Sequence, residues 1–259
     1  MTRASRERFA AAVRARPAEL ALACLLVGAE VEPDLEVDDA LEVLDTLAAA
    51  VRPLAAGSVQ HAAEALRVVL GEQAGFAGSA GDYEDLRASL LHEVLRRGRG
   101  LPILLAVVWV EVAQRAGVPA YALGLPGHVL VGIGEPDGEH VVVDPFSGGV
   151  LAGAPEPFPA LAVPDLLLRL LTNVRALTTR QPRSLGAAHT RLWATELSLL
   201  LPHHPAGLRR ERGELLVRLG DMLGGAAELE AYADLLDAAD PDQAQDLRRH
   251  ARLARARLN

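Results

Sequence analysis

The sequence predicts an α+β fold in which a small antiparallel sheet packs among helices. Segments with apolar residues at helical spacing dominate both ends of the chain, and three short β-rich runs lie together in its middle. An almost wholly apolar segment directly precedes those runs. A helix that is apolar on every side is normally buried, so this segment is predicted to be the central helix of the core.

The N-terminal part of the chain is predicted to form a layer of helices. Leu20–Val27 is an apolar run, and Val37–Leu47 carries leucines at helical spacing. Another helix is predicted over His61–Leu70, with Gly71 at its end. The glycine-rich stretch Gly75–Tyr83 is typical of a turn.

The middle of the chain is predicted to contain two helices and the sheet. Leu86–Arg97 has helical spacing, and the apolar helix Pro102–Ala116 begins with a proline, which suits a first turn because its missing N–H has no partner there. Pro136-Asp137-Gly138 indicates a hairpin turn between the last two strands. The three predicted strands are Ala120–Leu125, His128–Ile133 and His140–Asp144.

From Pro164 onward the sequence predicts helical hairpins. A Leu-Gly pair before a helix and a proline after it are typical of tetratricopeptide-type repeats, and about two such hairpins are present. Two hairpins are too few to form a free-standing solenoid, and we therefore expect them to pack on the core. We therefore expect two domains, residues 1–160 with the sheet and the N-terminal helical layer, and residues 161–259 with the helical repeats.

Composition excludes several classes of function. The formal charge of −8 disfavours binding to nucleic acid or to an anionic membrane, and the apolar run Leu101–Val110 is too short to cross a bilayer. The single cysteine, Cys24, excludes an intrachain disulfide and a cysteine-based zinc site. Without a recognisable signal peptide, a bacterial cytoplasmic protein with no cofactor and no metal is expected, and its oligomeric state stays open.

Five short motifs together resemble the bacterial transglutaminase-like family of the SirB type, which carries a tetratricopeptide-like tail. The resemblance covers nearly the whole chain and implies a papain/transglutaminase-like core, in which a helix is followed by a strand with a histidine and a strand with an aspartate. The motifs are Gly75-Phe76-Ala77-Gly78, Ser89-Leu90-Leu91-His92-Glu93, Gly100-Leu101-Pro102-Ile103, Leu125-Pro126-Gly127-His128 and Asp144-Pro145-Phe146-Ser147-Gly148-Gly149.

The resemblance implies a catalytic triad whose nucleophile is missing. Active members open the central helix with a cysteine, whereas this chain has Pro102 and Ile103 there. His128 is then the former general base and Asp144 its orienting partner, a remnant dyad whose side chains we expect to be in contact. Two other interpretations remain open: a structural histidine bonded across two strands, and an aspartate that starts an Asp-Pro turn.

Other residues that could replace the nucleophile have ordinary structural interpretations. Cys24 lies in an apolar helix, which favours a buried and unreactive thiol. Ser89 is interpreted as a helix cap and Ser147 as a turn residue. Glu111 lies within the apolar helix, and the sequence does not decide between a solvent-facing residue and a buried carboxylate.

Three functions are compatible with this sequence. The first is a non-catalytic transglutaminase-like protein whose former cleft and helical repeats bind a peptide or protein partner. The second is a cysteine-independent hydrolase or acyl-transfer enzyme that uses His128 and Asp144 to activate water or an amine. The third is a scaffold without a cleft.

Overall fold

The computed structural model describes residues 3–152, 159–180 and 183–257, and it contains two compact units, Met1–Leu170 and Leu171–Asn259. The predicted α+β class is confirmed, because helices dominate and a four-stranded antiparallel sheet lies in the first unit. Along the described part of the chain, no helix is long and apolar enough to cross a membrane.

Seven α-helices lie between Arg3 and Thr178 in the described part of the chain. Two short 3₁₀ turns before α5, Ala80–Glu84 and Leu86–Ser89, carry part of the site described below. The helices are α1 (Arg3–Arg14), α2 (Leu20–Gly28), α3 (Val37–Val51), α4 (Val59–Leu66), α5 (Leu91–Arg97), α6 (Pro102–Arg115) and α7 (Val163–Thr178).

Helix α6 is the buried centre of the first unit, as predicted. Every residue from Pro102 to Val110 is buried, and the helix packs against α2, α3 and the sheet. Trp109 is fully buried and lies against Gly149, where a Cβ atom would come within 2.0 Å of the indole ring. The glycine at that position therefore allows the close approach of α6 to the end of the sheet.

The sheet is a meander of four antiparallel strands in the order β1-β2-β3-β4. The three predicted strands are present, with β2 one residue longer than expected. The fourth strand was not predicted, because it has only two residues and both are exposed, which leaves no apolar alternation to detect. The strands are β1 (Ala120–Leu125), β2 (His128–Gly134), β3 (His140–Asp144) and β4 (Val150–Leu151).

The prediction that Gly71 ends a helix is wrong. Helix α4 continues without a break into a π-helical segment, Arg67–Gln73, that includes Gly71. A Cβ atom on Gly71 would lie 2.2 Å from the carbonyl oxygen of Gly148. The residue is a glycine because the turn after β3 passes directly over it, so close packing rather than termination explains its presence.

The second unit contains two helical hairpins, as predicted. Helices α9 and α10 approach closely, since a Cβ atom on Gly225 would lie 2.7 Å from the carbonyl oxygen of Gly213. Mainly alanine and leucine side chains fill the space between α10 and α11. The helices are α8 (Leu185–Leu199), α9 (Gly207–Arg218), α10 (Met222–Leu236) and α11 (Pro241–Ala256).

Candidate functional site

His128 and Asp144 are in direct contact, which confirms the predicted geometry. His128 begins β2 and Asp144 ends β3, and the antiparallel pairing of Val131 with Val143 brings these two strand ends together on one face. The distance from Nε2 of His128 to Oδ1 of Asp144 is 3.0 Å. Because a carboxylate only accepts hydrogen bonds, Nε2 carries the proton, and the lone pair of the neutral ring is on Nδ1.

Asp144 also holds the turn that follows it. Its Oδ1 accepts the backbone N–H of Phe146 at 2.9 Å, and its Oδ2 accepts the hydroxyl of Ser147 at 2.9 Å. The turn-forming and histidine-orienting interpretations of Asp144 therefore both describe its contacts. The hydroxyl of Ser147 donates to the carboxylate of Asp144 and not to His128, so the imidazole does not act on that serine.

Two aromatic rings that were not predicted as site residues extend the site from His128. Phe146 meets the imidazole edge-on, with ring centres 5.8 Å apart, and Tyr83 lies 6.0 Å from Phe146. Burial and then the charge of Asp144 raise the pKa of the Tyr83 phenol. Both rings lie in or beside motifs singled out in the sequence, so the sequence did mark these segments. The structure shows that the two motifs meet, because the N–H of Gly78 donates to the carbonyl of Phe146 at 2.9 Å.

The segment that carries Tyr83 is anchored by a buried carboxylate. Asp82 accepts the backbone N–H of Ser79 at 2.7 Å and Nε of Arg99 at 3.0 Å. Ala77 also pairs with Arg99 as an isolated bridge. Arg99 lies three residues before α6, so the segment is fixed to the chain that enters the central helix.

The backbone at His128 is held by an arginine that sequence reasoning missed. Arg169 of α7 donates from Nη2 to the carbonyl oxygens of Leu125 and His128. These two residues flank the tight turn in which Gly127 has a φ of +73°, a conformation that favours glycine. No local pattern around Arg169 indicates this role, because its partners lie about forty residues earlier in the chain.

Helix α6 starts without a nucleophile. Pro102 and Ile103 are buried, and the N-cap residue Leu101 provides no side-chain hydrogen bond.

The prediction that Ser89 caps a helix is wrong. The chain forms a 3₁₀ turn over Leu86–Ser89, which makes Leu90 the N-cap of α5 and leaves Ser89 buried.

Cys24 and Glu111 lie near one another in the core. Cys24 is 1% exposed, as predicted, and burial together with the charge of Glu111 raises the pKa of its thiol. Glu111 is closer to the buried carboxylate of the two alternatives, because its side chain is only 13% exposed. It accepts the backbone N–H of Ala21 at 2.8 Å and pairs with Arg115, while burial raises its pKa. A carboxylate at this position stabilises the start of α2.

A second polar cluster lies apart from the dyad. Among the described residues, Glu32, His92 and Glu93 form the group whose potential metal-binding atoms lie within 4.8 Å of one another. Burial lowers the pKa of His92, which keeps the imidazole neutral near pH 7. The sequence predicts no metal site here, and His92 stands out in it only as part of a family motif.

The fold and the dyad define a transglutaminase-like protein with tetratricopeptide repeats. A family model of the transglutaminase-like superfamily matches residues 38–157, and one of the tetratricopeptide repeat matches residues 187–259. More particularly, the chain belongs to the UPF0162 protein family. It is 32% identical over 246 residues to a UPF0162 protein of Pseudomonas aeruginosa, an alignment that covers 88% of this chain and 82% of that relative.

Other relatives are matched over shorter regions. A UPF0162 protein of Xylella fastidiosa is 33% identical over 185 residues, which cover 63% of this chain and 64% of the relative. The mouse F-box only protein 21 is 34% identical over 68 residues, or 26% of this chain and 11% of that protein. No solved structure matches the chain.

Proposed function

We propose that this protein is a non-catalytic transglutaminase-like protein of the SirB type that binds a peptide or protein partner. The observation that carries this proposal is the absence of a nucleophile at the start of α6, where Pro102 and Ile103 are buried apolar residues. His128 and Asp144 are then the remnant of a triad. Acyl transfer through a covalent intermediate requires an activated thiol or hydroxyl, which neither residue at the helix start supplies.

The other thiol and hydroxyl groups considered above support the same proposal. Cys24 is buried in α2, where the nearby Glu111 disfavours the thiolate. The hydroxyl of Ser147 donates to Asp144. A nucleophile needs a neighbouring base that takes its proton, and His128 contacts neither group among the described interactions.

An exposed apolar row on α10 supports a partner-binding role. Leu223, Ala227, Ala231 and Leu235 recur every four residues and are all exposed, with the two leucines 62% and 61% accessible. Residues at this spacing lie along one side of a helix. Helical repeats bind partners through continuous surfaces of this kind, and a row with small central residues admits close approach.

The domain assignment and location belong to the same proposal. We assign residues 1–160 to the transglutaminase-like domain and residues 161–259 to the tetratricopeptide-like segment. The two family matches end at residue 157 and begin at residue 187, on either side of that boundary. The acidic composition supports a bacterial cytoplasmic protein that binds neither nucleic acid nor membrane.

The proposal is tested by purifying the tagged protein with its cross-linked partners from the native host, followed by mass spectrometry. The partner is then purified and its affinity measured. We expect the Leu223→Glu, Leu235→Glu double variant to weaken binding at least tenfold. Leu185→Glu is the matched control, because Leu185 is a similarly exposed leucine outside the row. Equal loss in the control, or no loss in the double variant, contradicts a partner surface on α10.

The runner-up function is a cysteine-independent hydrolase or acyl-transfer enzyme. It is favoured by the free lone pair of His128, since Nδ1 forms no hydrogen bond to the described residues and the side chain is 27% exposed. A general base alone contributes about 10²–10⁴-fold. Turnover of model esters or amides that is lost in both His128→Ala and Asp144→Asn would support this function and contradict the non-catalytic proposal.

A further inference from the structure

The cluster of Glu32, His92 and Glu93 lies beside a cavity of about 320 Å³ in the first unit. The cavity is bounded by the segment after α2, the start of α3 and one side of α5. His92 and Glu32 both line it, so a small ion has a route to the cluster. The dyad of His128 and Asp144 is not part of this cavity lining.

His92 is a buried imidazole without adequate protein partners. Its side chain is 2% exposed, yet Nδ1 has no hydrogen-bond partner within the described structure. Nε2 lies 3.4 Å from Oε2 of Glu32, longer than the roughly 2.7–3.2 Å of a normal N–H···O bond. A buried polar group left in this state costs about 1–3 kcal/mol. A metal ion on Nε2 would give that nitrogen the close partner that Glu32 does not supply, while Nδ1 would carry the ring proton and stay packed against Gly28.

The ring is positioned by a glycine on α2. A Cβ atom on Gly28 would lie 2.2 Å from Nδ1 of His92, so only a glycine leaves room for the imidazole. The Nδ1–Cε1 edge faces Gly28, and in this orientation Nε2 lies 3.4 Å from Oε2 of Glu32. The orientation of His92 is therefore set by close packing rather than by a hydrogen bond.

The spacing of the donor atoms fits a tetrahedral transition-metal ion. Zinc binds imidazole nitrogen and carboxylate oxygen at about 2.0–2.2 Å, which places two tetrahedral ligands about 3.3 Å apart. The observed 3.4 Å between His92 and Glu32 matches that edge. Glu93 completes three protein ligands within 4.8 Å, and its side chain and that of Glu32 are partly exposed and both accept hydrogen bonds from Arg96.

The guanidinium of Arg96 already places a positive charge between Glu32 and Glu93. Nη1 of Arg96 lies 2.8 Å from Oε2 of Glu32 and 3.2 Å from Oε1 of Glu93, between the two carboxylates. The Arg96 side chain is 52% exposed and is able to rotate into solvent. The cluster thus attracts a cation, and Arg96 is its resident competitor.

We propose that Glu32, His92 and Glu93 form a binding site for a divalent transition metal such as zinc, with Arg96 displaced when the ion binds. The donor set of one imidazole and two carboxylates suits zinc and leaves the fourth tetrahedral position open toward the cavity. This site is independent of the proposed partner-binding function.

The test is titration of the full chain, stripped with a chelator and dialysed, with zinc in a calorimeter and with cobalt as a visible-absorption probe. We expect one ion per chain, with the absorption of tetrahedral cobalt. His92→Gln is expected to weaken binding at least tenfold, and His61→Gln, which changes an exposed histidine, is the matched control. Glu32→Gln provides the same test without altering a buried ring.

Arg96→Gln separates a metal site from a surface that merely attracts cations. Removal of the competing charge leaves all three ligands in place, so zinc affinity should rise roughly tenfold. Unchanged affinity in both His92→Gln and Glu32→Gln, or no increase in Arg96→Gln, overturns the proposal. Equal loss in His61→Gln also overturns it, because the ion would then be held by exposed histidines elsewhere.

Discussion

His128 donates from Nε2 to Oδ1 of Asp144 at 3.0 Å, and the same oxygen accepts the backbone N–H of Phe146. One carboxylate thus fixes both the imidazole and the turn that carries the neighbouring aromatic ring. Because Phe146 in turn packs edge-on against His128, the three residues form a closed set of contacts. A substitution at His128 or Asp144 removes a contact from each of the other two residues.

Asp144→Ala should lower the free energy of unfolding by about 1–3 kcal/mol, because three hydrogen bonds to this carboxylate are lost. Urea unfolding followed by circular dichroism measures it. Ser147→Ala removes only one of those bonds and should cost less. Equal costs for the two variants would contradict a central role of Asp144 in the turn.

Gly78→Ala should destabilise the protein by about 1–3 kcal/mol and displace Phe146, since the added Cβ would lie 1.9 Å from its ring. The His128 and Phe146 resonances in an NMR spectrum report that displacement. The matched control is Gly81→Ala, where the nearest atom would be 3.9 Å away. If both variants behave alike, the close packing at Gly78 does not determine the site.

The Cys24 thiol should react slowly with a thiol reagent in the native protein, because it is buried and its pKa is raised. Reaction in denaturant should be rapid and stoichiometric, which provides the control. Rapid modification of the native protein with loss of any measured activity would contradict this prediction and favour Cys24 as a catalytic nucleophile.

Ile103→Cys, made together with Cys24→Ser, should create a thiol more acidic than an ordinary cysteine. Burial of this position, where Ile103 is 1% exposed, raises the thiol pKa, so a more acidic thiol requires both the partial positive charge at the amino end of α6 and the charge of a nearby His128. The pH dependence of alkylation measures the thiol pKa. A value near the ordinary 8.5 or so would exclude a common site and with it the remnant-triad interpretation.

Glu211 should make the second unit acid-sensitive. Burial raises the pKa of this carboxyl, but the hydrogen bonds from Arg175 and Arg191 lower it by a larger amount. The folded pKa therefore lies below the unfolded value of 4.5. A depressed folded pKa contributes stability that is present above the unfolded pKa and is lost as pH falls through the folded pKa.

Glu211→Gln is therefore expected to cost about 1–3 kcal/mol at pH 7 and progressively less as the solution is acidified below pH 4.5. Hydrogen exchange of the α9 amides in the full chain follows the second unit specifically. The exposed pair of Arg210 and Glu214 offers a control, since Glu214→Gln should change exchange little. A cost that does not depend on pH would contradict the assignment to this carboxylate.

Local patterns in the sequence were enough to predict the sheet and the central helix. The alternation in three short runs and the apolar character of Pro102–Arg115 are properties of neighbouring residues, and burial follows from them directly. The contact of His128 with Asp144 was also predictable, because a short antiparallel connection brings the start of one strand beside the end of the next.

Glycines were harder to interpret from sequence. Gly71 was predicted to end a helix, yet it lies within one and is required because the carbonyl of Gly148 passes over it. A glycine near a helix end and a glycine at a tight crossing look alike in a sequence, since both lack a side chain. Only the position of the distant segment distinguishes the two.

The sequence by itself determined the fold class and the repeats, because both depend on residue type and local periodicity, and its resemblance to a known family led us to expect a missing nucleophile. Only the tertiary structure decided that Glu111 is a buried carboxylate, that Arg169 holds the His128 backbone, and that Glu32 lies beside His92. These contacts join residues that are 90, 41 and 60 positions apart in the chain. Their energy depends on distance and burial in space, which the order of residues along the chain does not record.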